Sequence, residues 1–470
     1  MKTTKAIQLL ILLIFVSTQI TAQITISSNE LNPENDAQHP CITPQEYQIL
    51  QKECAKNIKL FKLDKKHRNQ QTVNTALNWP IRAAAGFNDC DYYFIAAYVD
   101  QDIATGTFQD FACGTNTYDG HHGTDIASWP FSFYKMDNSQ VEVVAAAAGT
   151  IVQKVDANFD RNCSSNTLTA NSIIIQHADG TLALYWHMKK NSLTTKVIGQ
   201  TVVAGEFLGV VGSSGSASGP HLHFEVWAGA TNTTYNDPFA GSCNTLNANS
   251  WWAAQKPHTN PAVIKVSVNT TDIVLPGCPT TETPNESDTF TIPFQGPGLG
   301  PGYAKFYIYI RDDVAGLSAD CKILNPNGTT FNSWIYTSAA NNKAAIKGYS
   351  KLLPTIPGVY TFQATYNGQT CSKTFTIVSA LANNEFSHNE QIKLYPNPTT
   401  GKIFISFNNT YQYDNIMNLS FYNVAGQLIK KFMISPATKE IELNIPTGIY
   451  FYNINSENGN LLKTCKIIVD

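Results

Sequence analysis

Two histidines one residue apart, His221 and His223, lie in the stretch Gly219-Pro220-His221-Leu222-His223-Phe224-Glu225-Val226. On a β-strand alternate side chains share a face, so both imidazoles would project together while Leu222 and Phe224 bury behind them. Neutral imidazole is the commonest protein ligand for zinc, and two delivered to one point suit a metal site. Upstream, Asp119-Gly120-His121-His122-Gly123-Thr124-Asp125 offers an imidazole and a carboxylate four residues apart, on a glycine-flanked loop entering a strand. His121, Asp125 and His223 together make a His₂Asp set. Three protein ligands with a fourth position open is the arrangement of catalytic rather than structural zinc.

Hydrolysis also needs groups that move protons and steady an oxyanion. His221, beside His223, and His187 in Leu184-Tyr185-Trp186-His187-Met188 are available for this, because imidazole titrates near neutrality and both its forms are accessible. No HExxH occurs, which excludes the glutamate-base scheme of helical zinc proteases, and no serine sits in a GxSxG elbow. No CxxC exists either, so a thiolate zinc site is not expected. The glycine–serine loop 212–219 lacks the Gly-Lys-Ser/Thr ending of a phosphate cradle and reads instead as backbone that an extended peptide can approach closely. His122 reads as a cleft-edge or solvated residue and His177 as structural.

The elements that must position these groups are short strands. Val141–Val144 leads through small residues to Gly149–Val152. Ser172–His177 and Thr181–Met188 are joined at Asp179-Gly180, a strong hairpin signal. Phe207–Val211 runs into the glycine–serine loop and so to the histidine pair. The expected fold class is mainly β: an antiparallel β-sheet domain over 77–262 that carries these groups, a β-sandwich (Ig-like) domain over 263–380, and a small C-terminal β-sandwich over 390–470, with a linker at 381–389. The middle domain is read as separate, on the alternating runs Tyr303–Ile310 and Val359–Tyr366 and the Asn367-Gly368 turn. In the last module strands are expected at 402–407, 418–423, 441–445, 449–454 and 464–469.

Residues 23–76 are polar with one helix. Thr43, Pro44 and Glu46 form a capping box with proline at the first helical position, and Tyr47, Leu50, Cys54, Ile58 and Phe61 recur at helical spacing. This is a helix packed on the next domain or a propeptide over the site.

A chain of 470 residues holds several domains, and its net charge of −3 without a basic block gives no sign of nucleic acid as a partner. Lys2 and Lys5 before the apolar run Ile7–Val16 read as a signal peptide cut near Ala22; no transmembrane segment is expected. Ten cysteines fit an oxidising destination, with Cys90–Cys113 and Cys163–Cys243 as the expected pairs.

His121-x-x-x-Asp125, Tyr185-x-His187 and Gly212-x-x-Gly215 leading to Gly219-Pro220-His221-Leu222-His223 resemble the lysostaphin-type (LytM-like) zinc endopeptidases over roughly 90–240. The resemblance implies one zinc ion on His121, Asp125 and His223, with His187 and His221 as the two non-ligand catalytic histidines. It also implies a peptide substrate in peptidoglycan cross-links or glycine-rich peptides. Leu394-Tyr395-Pro396-Asn397-Pro398, Gly401, Phe421–Gln427, Pro446–Tyr450 and the closing Lys466–Asp470 are similar to the C-terminal sorting domain of the type IX secretion system. That implies the type IX machinery as a partner and a secreted or cell-surface location in a Gram-negative, Bacteroidetes-like bacterium. The alternative from another class is a non-catalytic, zinc-stabilised wall-binding protein or adhesin, which has no need of His187 and His221.

Overall fold

Ser172–Gln176 and Leu182–Trp186 are apolar runs buried on both faces, and their place in the chain follows from that: they lie at the centre of the largest sheet. The computed structural model describes residues 24–27, 41–65, 75–230, 232–379, 392–407, 416–457, 459 and 461–470; the expected signal peptide and the expected linker at 381–389 lie outside them. The chain divides into two compact units, Met1–Val378 and Ser379–Asp470.

In the first unit an eight-stranded sheet runs in the order Tyr93–Ala97, Thr124–Ser128, His221–Gly229, Leu182–Trp186, Ser172–Gln176, Gly149–Val155 and Thr201–Val202, with Asn232–Asn236 also paired to His221–Gly229. A three-stranded sheet of Phe207–Val210, Val141–Val144 and Ile81–Ala83 packs with it around Ile126, Val143, Ile175, Leu222 and Phe224. The paired elements within these sheets are antiparallel, as expected. Tyr185 ties the two sheets, its hydroxyl accepting from the Ala146 backbone N–H at 2.7 Å.

The helix Pro44–Leu60 starts where its capping box places it: the Thr43 hydroxyl accepts from the Glu46 N–H, and the Glu46 carboxylate accepts from the Thr43 N–H. Its buried face, Leu50, Cys54 and Ile58, packs on Val152, Ile174, Leu184, Trp186 and Trp227. Burying Leu50 and Ile58 contributes about 1.5–3 kcal/mol each. A second element in this segment went unread in the sequence: Ile24–Ser27 is a strand, paired antiparallel with Asn342–Leu352. Four residues carry too short a pattern to announce themselves.

Two further sheets stack as a sandwich. One runs Ile24–Ser27, Asn342–Leu352, Tyr303–Asp313, Ala262–Asn269; the other Thr289–Ile292, Gln369–Ser379, Gly358–Tyr366, Ser318–Leu324, Thr330–Thr337. This sandwich is not separate from the peptidase sheets. Phe94, Trp129 and Phe131 share an apolar cluster with Ile264, Tyr307, Tyr309 and Ile346, and Arg311 meets Asp91 at 2.6 Å. The disulfides also differ from the expected pairs: they are Cys90–Cys371, Cys113–Cys243 and Cys163–Cys278. Proximity in sequence suggested local pairs, whereas the folded sheets bring distant cysteines together.

Asp110 organises the loop that leads toward His121. Its carboxylate accepts backbone N–H bonds from Ala112, Gly114 and Asn116, and one from His258 Nε2 at 2.8 Å. Burial would raise this carboxyl, but the bonds from His258 and the loop outweigh it and hold it at about 2. Asp110→Asn is expected to lower unfolding free energy by about 2–4 kcal/mol at pH 7, since buried charged hydrogen bonds are lost. A depressed carboxyl stabilises above its unfolded value of about 3.9. The wild-type advantage in urea unfolding is therefore full above that value and shrinks as pH falls toward about 2.

The C-terminal unit holds a three-stranded sheet (Ile392–Tyr395, Lys402–Phe407, Glu440–Glu442) and a four-stranded one (Leu428–Ile434, Met417–Asn423, Gly448–Ser456, Leu461–Val469) around Ile403, Leu419, Phe421, Ile454 and Ile467. Leu428–Ile434 was not expected, because adjacent Lys430 and Lys431 break its alternation. No described helix is long and apolar enough to cross a membrane.

Candidate metal centre and active site

The strand His221–Gly229 sits between Thr124–Ser128 and Leu182–Trp186, and the register pairs His223 with Asp125 on one side and with Trp186 on the other. His187 follows Trp186 directly, and His121 leads into the Asp125 strand. Three neighbouring strands thus bring all five sequence-predicted residues to one place. All five are buried, from His187 at 0% exposure to His221 at 9%.

His121 Nε2 lies 3.2 Å from His223 Nδ1 and 3.2 Å from Asp125 Oδ2, and His223 Nδ1 lies 2.9 Å from Asp125 Oδ1. Each outward nitrogen faces an acceptor. His121 Nδ1–H donates to the Tyr98 carbonyl at 2.6 Å, and His223 Nε2–H points at Glu225 Oε2 at 3.4 Å. The two facing nitrogens lie 3.2 Å apart beside the Asp125 carboxylate, where each can offer a lone pair once it carries no proton. Three such groups converging on one point can hold a cation between them. Their spacings are close to the roughly 3.3 Å edge of a tetrahedron with zinc-type bonds of about 2.0–2.1 Å, and the donor set, two imidazoles and a carboxylate, fits such an ion. Burial would raise the Asp125 carboxyl, but His121 and His221 outweigh it and hold it well below the usual carboxylate range.

Gly123 makes room for this geometry: a Cβ there would stand 2.5 Å from His223 Cε1. Gly212 has a similar role, since its Cβ would stand 2.4 Å from the Lys189 backbone nitrogen. The close backbone approach read for this loop is thus made, at Gly212, by the chain's own Lys189.

His187 stands off the carboxylate, and His221 Nε2 lies 3.7 Å from Asp125 Oδ1. Their rings lie 4.6 Å apart; His187 Nδ1–H donates to the Ser214 carbonyl at 2.7 Å, and His221 Nδ1–H to the Gly219 carbonyl at 2.8 Å. Both Nε2 atoms are buried without a hydrogen-bond partner in the protein. Burial and the neighbouring His221 push His187 below the ordinary imidazole range. His187 also holds φ of 65°, a left-handed conformation that costs a non-glycine residue about 1–2 kcal/mol. Such strain is retained where the surroundings over-determine it, and here Asn171 Nδ2 and the Ser214 hydroxyl both donate to the next carbonyl, that of Met188.

Glu225 was missed in the sequence, although alternation puts it on the same strand face as His221 and His223. Besides orienting His223, it accepts from Trp227 Nε1–H at 2.7 Å and from the Tyr47 hydroxyl at 2.9 Å. Outer partners of this kind orient ligands and raise their basicity. Cys41 was missed too. Its Sγ lies with the donor atoms of His121, Asp125 and His223, all within 4.8 Å of one another. The absence of CxxC argued against any thiol here, but a single thiol arrives from the segment before the helix. His122 is half-buried at the edge, stacked on Tyr235 at 3.8 Å, and His177 Nδ1–H donates to the Ala148 carbonyl at 2.9 Å, a structural role.

Residues 120–238 match the family model described as Peptidase family M23, and residues 393–470 match the Secretion system C-terminal sorting domain. This chain carries a peptidase family M23 domain. Both resemblances read from the motifs are borne out, and the M23 match contains all five predicted site residues. A DD-carboxypeptidase/endopeptidase of Neisseria meningitidis is 44% identical to the chain over 56 residues, 12% of each protein. A peptidoglycan DD-endopeptidase of Vibrio cholerae is 29% identical over 80 residues, 17% of this chain and 18% of that one. The chain thus spans less than a fifth of the length of these two M23 relatives. Among solved structures, the catalytic domain of lysostaphin from Staphylococcus simulans is similar at 20% identity, covering 33% of this chain and 96% of that one, with a TM-score of 0.20.

Proposed function

We propose that this chain is an exported zinc endopeptidase that hydrolyses peptide bonds in peptidoglycan cross-links or glycine-rich peptides. The observation that carries the reading is the convergence of His121 Nε2 and His223 Nδ1, 3.2 Å apart, on the Asp125 carboxylate. His121, Asp125 and His223 would hold the ion. Bound zinc supplies Lewis acidity, polarising a carbonyl and easing deprotonation of water at neutral pH.

The rest falls to the chain's own side chains. His187 and His221 each keep Nδ1–H on a backbone carbonyl, which leaves Nε2 free to take a proton from the attacking water. Once protonated, the same atoms donate to the oxyanion and then to the leaving amine. Two imidazoles 4.6 Å apart can share these tasks. The Neisseria and Vibrio relatives, a DD-carboxypeptidase/endopeptidase and a peptidoglycan DD-endopeptidase, support peptidoglycan as the substrate class. The match over 393–470 supports export through a type IX system to the cell surface or medium.

The test is digestion of purified peptidoglycan with culture-processed protein from which the N-terminal segment has been cut, with new termini read by mass spectrometry. Release of peptide that stops on chelation and returns with zinc is the expected result. Binding to the wall pellet with no released peptide, in the presence of zinc, overturns the reading in favour of a wall-binding protein.

A further inference from the structure

The N-terminal segment delivers a thiol into the metal-ligand cluster. Cys41 Sγ lies within 4.8 Å of the donor atoms of His121, Asp125 and His223, and a second grouping of the same span joins it to His187 and His221. It therefore stands between the three ligand atoms and the two histidines, in the space that a scissile carbonyl and its attacking water require. His187 Nε2 and His221 Nε2, buried and without hydrogen-bond partners in the protein, border the same space. Cys41 touches the Tyr118 hydroxyl at 3.0 Å, and Tyr118 stacks on His121 at 4.3 Å.

We propose that Cys41 is a fourth ligand of the metal centre and keeps the exported chain latent. The inference rests on reading His121, Asp125 and His223 as ligands. A Cys-His₂-Asp set closes four-coordinate zinc, and closed sites are the structural rather than the catalytic kind. On binding, the thiol gives its proton to solvent and ligates as thiolate. The chemistry also accounts for a free thiol in a chain with three disulfides: Cys41 is unpaired, and ligation shields it from oxidation.

The segment is seated to hold the thiol in place. Cys41 lies two residues before the Thr43 cap, so the capping box fixes how the chain enters the helix. Tyr47 bonds Glu225, the residue that orients His223, and Asn57 Nδ2–H donates to the Val152 carbonyl at 2.8 Å. On the other side of Cys41 the strand Ile24–Ser27 pairs with the sandwich. The chain is thus anchored on both sides of the thiol. Between the helix and the M23 domain the sequence reads Lys65-Lys66-His67-Arg68, a ready target for a basic-specific protease.

The full chain, loaded with zinc or stripped by chelator, is treated with iodoacetamide and each cysteine is mapped by mass. Alkylation of Cys41 is expected to be about tenfold or more slower with zinc bound, because a ligated thiolate is withdrawn from reaction. Cys54, Cys321 and Cys465 serve as controls and keep their rates. The cobalt-loaded chain is expected to show a thiolate-to-cobalt charge-transfer band that Cys41→Ala lacks. Cys41→Ala is also expected to hydrolyse peptidoglycan about tenfold or more faster than the uncut wild type, as an occluded state is removed. Equal Cys41 alkylation with and without zinc, or a cobalt band unchanged by Cys41→Ala, overturns the inference. If zinc protects Cys41 while neither protein releases peptide, the thiol ligand stands and the proposed substrate falls.

Discussion

Asp125→Asn is expected to cost the chain its zinc. The amide keeps the shape of the carboxylate but removes its charge, leaving His121 and His223, with Cys41 where the N-terminal segment is in place. Outer-shell partners already change metal affinity by about 10–100-fold, so loss of a direct charged ligand is expected to exceed about a hundredfold. At limiting metal, peptide release falls by the same factor. Competition with a chromophoric chelator measures the affinity, and circular dichroism checks that the fold persists. Unchanged zinc affinity in Asp125→Asn would remove this carboxylate from the site.

The second large effect separates metal from proton transfer. His187→Asn is expected to bind one zinc with wild-type affinity and to lose about 10²–10⁴-fold in kcat, the range of a positioned general acid–base. Asparagine is chosen over alanine because it tolerates the left-handed backbone at this position, where φ is 65°. A thermal midpoint near that of the wild type then assigns the loss to chemistry. If kcat survives, His187 is a wall residue and His221 carries proton transfer alone.

The site was legible in the sequence to the extent that it is made of strands. Period-two alternation put His221 and His223 on one face, and the structure pairs that strand with Asp125 and places His187 one residue past Trp186. The same rule contained Glu225, which only its buried contacts with His223, Trp227 and Tyr47 bring to notice. Cys41 was beyond reach. Nothing in a lone thiol before a helix cap says which surface the helix will cover; that is decided by Leu50, Cys54 and Ile58 meeting Trp186 and Trp227. The helix itself was plain, because capping is local chemistry. Disulfide partners and the junction of the two β-domains failed for the converse reason: both depend on contacts between residues far apart in the chain.

The disulfide between Cys90 and Cys371 closes a loop over most of the first unit, from residue 90 onward, and Cys163–Cys278 ties a second link within it. A single nick anywhere between these outer cysteines leaves every piece covalently attached, so an extracellular protease that clips an exposed turn there sets nothing free. Cuts outside the loop behave differently. The stretch before Cys90 carries Cys41 and the helix, and the stretch after Cys371 carries the sorting module, so each can be shed by one cleavage. Covalent topology thus divides the chain into a ring that tolerates damage and two tails that can be trimmed independently, one at each end of the protein's route out of the cell.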